Sequence, residues 1–448
     1  MSDRKLPPED VLGLLLETSR AHGASDADAR LTVAEGVSVG VLNGQLETIE
    51  RDESAGVSLR CFHGQRQAHV SGTDLSQEGL KLLAERCASM AKAAPEDAYC
   101  GLTPAADLAK DLPALDLSGD ADLSPEELEA EALAAEAAAL GVDGVRQVPS
   151  CSAGWSRSAR WLAATNGFSA HRAGGHSGIG LAAVAEADGG MERDYASRSS
   201  RRREDRLTPA EIGRLAGERT VARLGSVKLS SRKAPVIYDK RVSASLISTL
   251  VNAISGPSIA RGVSFLRERL GAAIFSDTVS IIDDPFRARG LGSRPHDGEG
   301  RAVRERRIID RGVLPEWLLN GPSARQLGLQ PNGFASTAFG DPPGIATSNL
   351  YMVNGVKSPA ELMGDVGEGL LVTGMFGPSI NPNSGDYSVG VNGFWFEAGE
   401  IAYPVSEVTI AGDLPSMYQR LIPASDLEFL GSRDAPSILI EDMTLAGS

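Results

Sequence analysis

Cysteine is scarce: four in 448 residues, at 61, 87, 100 and 151, with no C-x-x-C pair. No disulfide framework is implied, and a reducing cytoplasm fits. Cys87 falls on an apolar series with Leu80, Leu83 and Met90 at helical spacing, which places it in a core. Aromatic residues make up 5% of the chain against 50 glycines, so turns and small-residue strands are expected rather than an aromatic core. Positive charge is in deficit. Lys and Arg number 44 against 59 Asp and Glu, a net charge of −15, which disfavours binding to a phosphate backbone as the main activity. No apolar run is long enough to span a membrane. The start, MSDRKLPPED, lacks the apolar stretch of a signal peptide. Histidine is rare too: the six, at 22, 63, 69, 171, 176 and 296, form neither HExxH nor HxH. No GxxxxGK[ST] loop occurs, which excludes P-loop chemistry.

What is present reads as an α+β protein with two or three domains. The first unit, residues 1–110, opens with a helix over 7–21. Alternating apolar residues from Leu31 to Val41 then predict a strand, and Asn43-Gly44 a tight hairpin. Return strands over 45–51, 55–62 and 65–71 complete a four-strand meander, followed by a helix over 76–93. Residues 95–123, with Pro95, Pro104 and Pro113, read as a connecting segment. The second unit, 111–230, starts a helix at Ser124-Pro125-Glu126-Glu127, a capping box with proline at the first helical position. Strands with a turn at Asn166-Gly167 follow, then a second capped helix from Thr208, with Gly225 as its stop. The third unit, 231–448, is larger and mainly β. It has a strand over 235–238, a helix over 242–254, strands near 278–282 and 302–309, a third capping box at Ser358, and dense strand signals from Tyr387 to Ile410 and at 437–441. The N-terminal units should carry antiparallel sheets.

Several strings imitate active sites. Gly36-Val37-Ser38-Val39-Gly40 matches G-x-S-x-G, but Ser38 lies inside a regular strand and no helix follows, so the nucleophile elbow is missing. Gly178–Ala183 fits G-x-G-x-x-A without a βαβ context, and turn chemistry reads better. His171 and His176 sit five apart in what reads as a Gly-rich turn. Asp297-Gly298-Glu299-Gly300 reads as an acidic turn, Asp283-Asp284-Pro285 as the cap of a strand end, and Arg201-Arg202-Arg203 as a solvated linker. From the residues alone, no active site assembles.

Longer strings carry more. Arg289-Gly290-Leu291-Gly292-Ser293-Arg294-Pro295, Asp297–Gly300, Ser323-Ala324-Arg325 and Thr347–Tyr351 come first. Gly385-Asp386-Tyr387-Ser388, Gly393-Phe394-Trp395-Phe396-Glu397, Tyr403–Gly412 and Asp426–Phe429 follow in order. Together they resemble the TldD/PmbA family over almost the whole chain. In that family the TldD branch carries HExxxH and a distant cysteine that bind zinc, and the PmbA branch, also called TldE, lacks them. The matching stretch here is Val251-Asn252-Ala253-Ile254-Ser255-Gly256, and no cysteine follows Glu428. The resemblance therefore implies the PmbA/TldE branch: a metal-free, non-catalytic subunit of a cytoplasmic metalloprotease complex, with zinc in a TldD-like partner. The substrates it implies are unfolded or modified peptides.

Two other readings stay open. One is a non-enzymatic binding protein of the gyrase-modulator type, against which the negative charge argues. The other is an independent hydrolase with an unrecognised site. Candidate residues for substrate positioning or subunit contact are Arg294, His296 and Asp297 in a Gly/Pro-rich loop, with Tyr387, Ser388 and Asn392 in the densest strand region. A turn held by an Arg294–Asp297 contact is the alternative for the first group. The run Phe394-Trp395-Phe396 offers one strand face to the core and the other to an interface, which allows a homodimer of the chain alone.

Overall fold

The computed structural model describes residues 6–120, 122–187, 190–337 and 339–447. The chain begins with α1 (Pro8–Ala21), β1 (Asp26–Leu42), β2 (Gln45–His63), β3 (Arg66–Gly72) and α2 (Gln77–Ala93). It continues with α3 (Pro125–Leu140), β4 (Val145–Ala164), β5 (Ser169–Ala187), β6 (Gly190–Ser200) and α4 (Pro209–Val221). The helix starts are set locally. Ser124 and Thr208 each accept from the backbone N–H three residues on, and Glu127 and Glu211 return the bond, closing both capping boxes. Asn43 and Gly44 take φ of 54° and 73°, the left-handed pair that a two-residue hairpin requires.

The strands form one antiparallel sheet in the order β3-β2-β1-β4-β5-β6, so the segments 1–110 and 111–230 share a single sheet. Odd-numbered residues of β1, β4 and β5 face the helices. Ala27, Ala29 and Leu31 pack under α1 and α2, while Val37, Val39, Ala153 and Leu181 pack under α3 and α4. The α3–α4 contact is close enough that a Cβ on Gly213 would strike the Ala135 carbonyl. The even-numbered residues occupy the opposite face.

The C-terminal part opens with β7 (Arg232–Tyr238), α5 (Lys240–Ala253), α6 (Gly256–Ala260), β8 (Ile281–Asp284), β9 (Arg306–Ile309) and α7 (Gly321–Leu327). There follow β10 (Ala335–Ser336), β11 (Gly344–Ile345), β12 (Asn349–Met352), α8 (Pro359–Val366), β13 (Gly369–Ile380), β14 (Asp386–Glu397) and β15 (Glu400–Asp413). The last elements are α9 (Leu414–Gln419), β16 (Leu421–Pro423), β17 (Arg433–Asp434) and β18 (Ile438–Ala446). Strands β15-β14-β13-β7-β18 run side by side, and β18 also pairs with β15, which closes a five-stranded barrel with β16 added on β18. A smaller sheet, β17-β12-β8-β9, stands beside it. The main core joins barrel residues such as Val236, Val389 and Ile410 to Leu246 and Leu250 of α5.

Several sequence expectations need correction. The meander has three strands, because β2 runs unbroken through Asp52–Ser54 and pairs with β1 along its whole length. Gly178–Ala183, His171 and His176 lie within β5, not in turns; glycine is tolerated there because β4 and β6 supply ladder bonds on both sides. Arg201 is no solvated linker residue: it is 7% exposed and donates to the carbonyls of Leu117, Gly175, Gly290 and Leu291. Helix α4 stops at Val221, and Gly225, with φ of 75°, turns the chain later. The strand expected from 302 begins at Arg306. In the run Phe394-Trp395-Phe396, Trp395 and Phe396 are buried within the chain and Phe394 is half-buried. Trp395 lies in the main core, and Phe396 packs with Ile237, Leu362 and Leu439.

Candidate functional site

The loop between β8 and β9 carries the first group of candidate residues, and it is buried. Arg294 is pinned by backbone oxygens: Nη2 donates to Ala346 (2.8 Å) and Gly333 (3.2 Å), and Nη1 to Ala335 (3.5 Å). The Asp297 carboxylate accepts from the N–H groups of Glu299 (2.8 Å), Arg301 (2.9 Å) and Ala335 (3.3 Å). The turn is therefore held by backbone partners, not by a direct Arg294–Asp297 bond. Glu299 is buried beside it and accepts from Gly321 N–H at the start of α7 (2.8 Å). From sequence, 297–300 reads as an acidic turn. Its carboxylates instead stitch this loop to β10 and α7.

Burial sets the protonation states here. It pushes Asp297 up to about 6, with the nearby Glu299 adding to the shift. It pulls His296 down to about 4, helped by Arg172, Arg294 and Arg30 and opposed by the bond to the Asp297 carbonyl. His296 Nδ1 lies 2.6 Å from that oxygen, which can only accept, so Nδ1 carries the proton and Nε2 is left as an acceptor. The ring meets the edge of Phe168 at 5.2 Å.

This loop roofs a cavity of about 750 Å³ whose floor is the helix-free face of the N-terminal sheet. Arg30 of β1, Arg160 of β4 and Arg172 of β5 rise from the floor, while Arg294, His296 and Asp297 close it from above. Arg30 Nη2 donates to Gly298 O at 3.3 Å and ties floor to roof. A volume of this size is usual for small-ligand sites. The floor arginines escaped the sequence reading, because the β4–β5 loop spans Thr165-Asn166-Gly167 and sets a register one residue away from that of a two-residue Asn166-Gly167 turn.

The second group lies elsewhere. Tyr387 is a core residue whose hydroxyl is pushed up to about 12 by burial. Ser388 is half-buried and pairs with Ser379 in the β13–β14 ladder. Asn392 opposes Gly374 and lines a separate cavity of about 720 Å³ with Asp194, Tyr195 and Arg241. Arg241 binds both carboxylate oxygens of Asp194 at 2.9 Å, joining α5 to β6. The structure thus brings Arg294, His296 and Asp297 together and sets Tyr387, Ser388 and Asn392 apart from them.

The zinc of the TldD branch does not fit residues 251–256. Val251 ends the apolar face of α5 and is 3% exposed in the main core. A Cβ on Gly256 would run into Ser323 Oγ and the Leu319 side chain. Neither position offers a donor atom, and Asn252 offers no carboxylate. Among the described residues, no three His, Cys, Asp or Glu side chains gather as a metal site.

Comparison with known proteins agrees with this architecture. Models of the PmbA/TldA metallopeptidase family match as domain 1 over residues 27–91, the central domain over 119–224 and the C-terminal domain over 231–447. Metalloprotease PmbA of Escherichia coli O157:H7 is 34% identical over 451 aligned residues, covering 100% of this chain and 97% of that protein. A PmbA homologue of Haemophilus influenzae is 32% identical, covering 98% and 96%. The chain therefore belongs to the TldD/PmbA metallopeptidase family, and its relatives place it on the PmbA/TldE branch. Crystal structures share the fold. TldE from Thermococcus kodakarensis superimposes with a TM-score of 0.86 at 20% identity, covering 98% of this chain and 100% of that one. A Bacteroides thetaiotaomicron protein carrying a gyrase-modulator label gives 0.90 at 24%, covering 98% and 99%. No helix among the described residues is long and apolar enough to cross a membrane.

Proposed function

We propose that the chain is the metal-free, TldE-like subunit of a cytoplasmic metalloprotease complex of the TldD–TldE type. It contributes assembly and peptide binding, and a TldD-like partner supplies the zinc. The observation that carries this reading is the packing of residues 251–256. A zinc site of the HExxxH type needs two imidazoles and a carboxylate on one helical face. Here α5 ends at Ala253, Val251 is core, and position 256, at the start of α6, is closed by Ser323.

The substrates are unfolded or modified peptides, which can lie extended against backbone groups as folded domains cannot. Arg294, His296 and Asp297 contribute by shaping the roof of the larger cavity, and Asn392 by lining the smaller one. Tyr387 and Ser388 hold the β14 framework on which Asn392 sits.

The test is reconstitution. The purified chain should hold no stoichiometric zinc and leave an unfolded peptide intact. Mixed with a TldD-type subunit it should form a complex that cleaves the peptide and loses activity to a chelator. One tightly bound zinc per chain, or chelator-sensitive cleavage by the chain alone, would overturn the proposal.

A further inference from the structure

The cavity floor holds arginines where a sheet serving only stability would avoid them. The β4–β5 register sets Arg160 directly opposite Arg172, and Arg160 also opposes Thr32 of β1. Like charges facing each other on adjacent strands destabilise a sheet. Among the described residues neither guanidinium has an ion-pair partner, and the charges acting on Arg172 are Arg160, Arg294 and Arg201. Burial together with these neighbours pulls Arg172 down to about 10.

The other arginines do not relieve the excess. Arg30 is 9% exposed and reaches Asp28 at 3.0 Å, yet its Nε and Nη1 are buried without partners. Arg294 and Arg201, each 7% exposed, give Nη groups to carbonyl oxygens; Asp283 and Asp297 act on Arg294 and Asp116 on Arg201, without a direct ion pair to either guanidinium among the described residues. Asp297 is the one carboxylate among the described lining residues, and three backbone N–H groups already occupy it. A chain with a net charge of −15 thus gathers Arg30, Arg160, Arg172, Arg201 and Arg294 around one cavity, with Arg172 half-buried and Arg160 exposed to solvent.

We infer that this chamber is an anion site for the carboxylates of an extended peptide, clasped between Arg160 and Arg172 with the free N–H groups of Arg30 behind them. Two guanidiniums set across a ladder present parallel donor forks, the geometry that suits a carboxylate. The bound anion would also remove the repulsion that the empty sheet carries. The neighbouring wall mixes Ser156, Ser158 and Thr32 with Leu162 and Phe339, which suits side chains flanking the charge. The positive chamber stands on its own geometry. That its anion belongs to a peptide rests on the function proposed above.

The experiment measures binding of a labelled, unstructured peptide to the full chain by fluorescence anisotropy. Four forms are compared: a free C-terminal carboxylate or a carboxamide, each with an internal Glu or Gln. The carboxamide-Gln form should bind at least about tenfold more weakly than the doubly acidic one, as expected for loss of a charge-assisted bond. The two mixed forms show whether the terminus or the side chain supplies the carboxylate. Arg172→Gln and Arg160→Gln should each weaken the acidic peptide by about tenfold and leave the neutral one unchanged. Tm should stay the same or rise, because a like-charge pair is relieved. Arg172→Lys should recover part of the affinity. Equal affinity for all four peptides, or wild-type binding of the acidic peptide by both glutamine variants, would overturn the inference. If neutral peptides bind the chain and are cleaved by the complex as readily as acidic ones, the anion site falls and the peptide-handling role stands. If no peptide binds in any form, both fall.

Discussion

Asp28 is the residue whose loss should do most damage relative to its size. Its carboxylate lies between two arginines. Arg60 donates through Nε at 2.8 Å and Nη2 at 2.5 Å, and Arg30 Nη2 stands 3.0 Å away. The Arg60 and Asp28 side chains are each 3% exposed, so water cannot replace a missing partner. Asp28→Asn keeps the volume and removes the charge. Breaking a buried pair in this way costs about 3–5 kcal/mol, because the remaining cation stays buried. At about 2–4 °C per kcal/mol for a domain of this size, Tm should fall by about 6–20 °C. Differential scanning calorimetry reads the shift directly. Removing the cation as well should recover part of the loss, so Asp28→Asn with Arg60→Met should be less damaging than the two single effects added, by about 1–3 kcal/mol. Burial alone would raise the Asp28 pKa, but Arg30 and Arg60 outweigh it and hold the group below 3.8. A folded value below the unfolded one means that the contribution is complete above about pH 4 and fades as pH falls through the folded value. A Tm within about 2 °C of wild type for Asp28→Asn would refute the reasoning.

Two further outcomes are expected. Val251→His with Gly256→His should not create a zinc site, since position 256 has no room even for a Cβ beside Ser323; overpacking should cost about 1–3 kcal/mol in urea denaturation, and stoichiometric zinc in the double variant would contradict this. His296, held at about 4, should stay neutral from pH 8 to pH 5, so its ring-proton NMR shifts should be flat there, and a midpoint near 6.5 would contradict the burial argument. The depressed value makes folding stability fall as pH drops below 6.5. Asp297, raised to about 6, acts with the opposite sign and weakens the fold as pH rises from 3.8 to 6.

The elements legible in the sequence were those with local causes. The capping boxes at Ser124, Thr208 and Ser358 and the hairpin at Asn43-Gly44 depend on residues three or fewer apart, and all formed as read. The break expected within β2 was illegible for the opposite reason. Glu50–Ser54 is polar and exposed, and it is strand because β1 pairs with it from the other side. The glycines of β5 misled similarly, since flanking strands override local flexibility. Within the site, Arg294 and Asp297 could be singled out, but their burial could not. That depends on β10, the Ala346 segment and the N-terminal sheet closing over the loop. Counting outward from a two-residue Asn166-Gly167 turn would set Arg160 against Ala173; the loop is instead the three residues Thr165-Asn166-Gly167, and this shift of one brings Arg160 opposite Arg172. Arg30 beside them requires the β1–β4 pairing, across about 130 residues, which no turn specifies.

The closed barrel bears on how the molecule is made. Its ring is completed by β18, which lies between β7 and β15 although β7 precedes it by about 200 residues. The N-terminal sheet can assemble as soon as β6 has left the ribosome. Until β18 arrives, β7 has a free flank, and the apolar faces of β13, β14 and β15 cannot be sealed into a common interior. For most of the synthesis of the C-terminal half β7 thus has neither sheet neighbour, and the sheet that forms once β13–β15 emerge stays open at its edges until β18 arrives, the state most prone to wrong strand pairing. Folding of this chain should be paced by that late, long-range closure rather than by its helices, and chaperone dependence should concentrate in the interval between the emergence of β7 and that of β18.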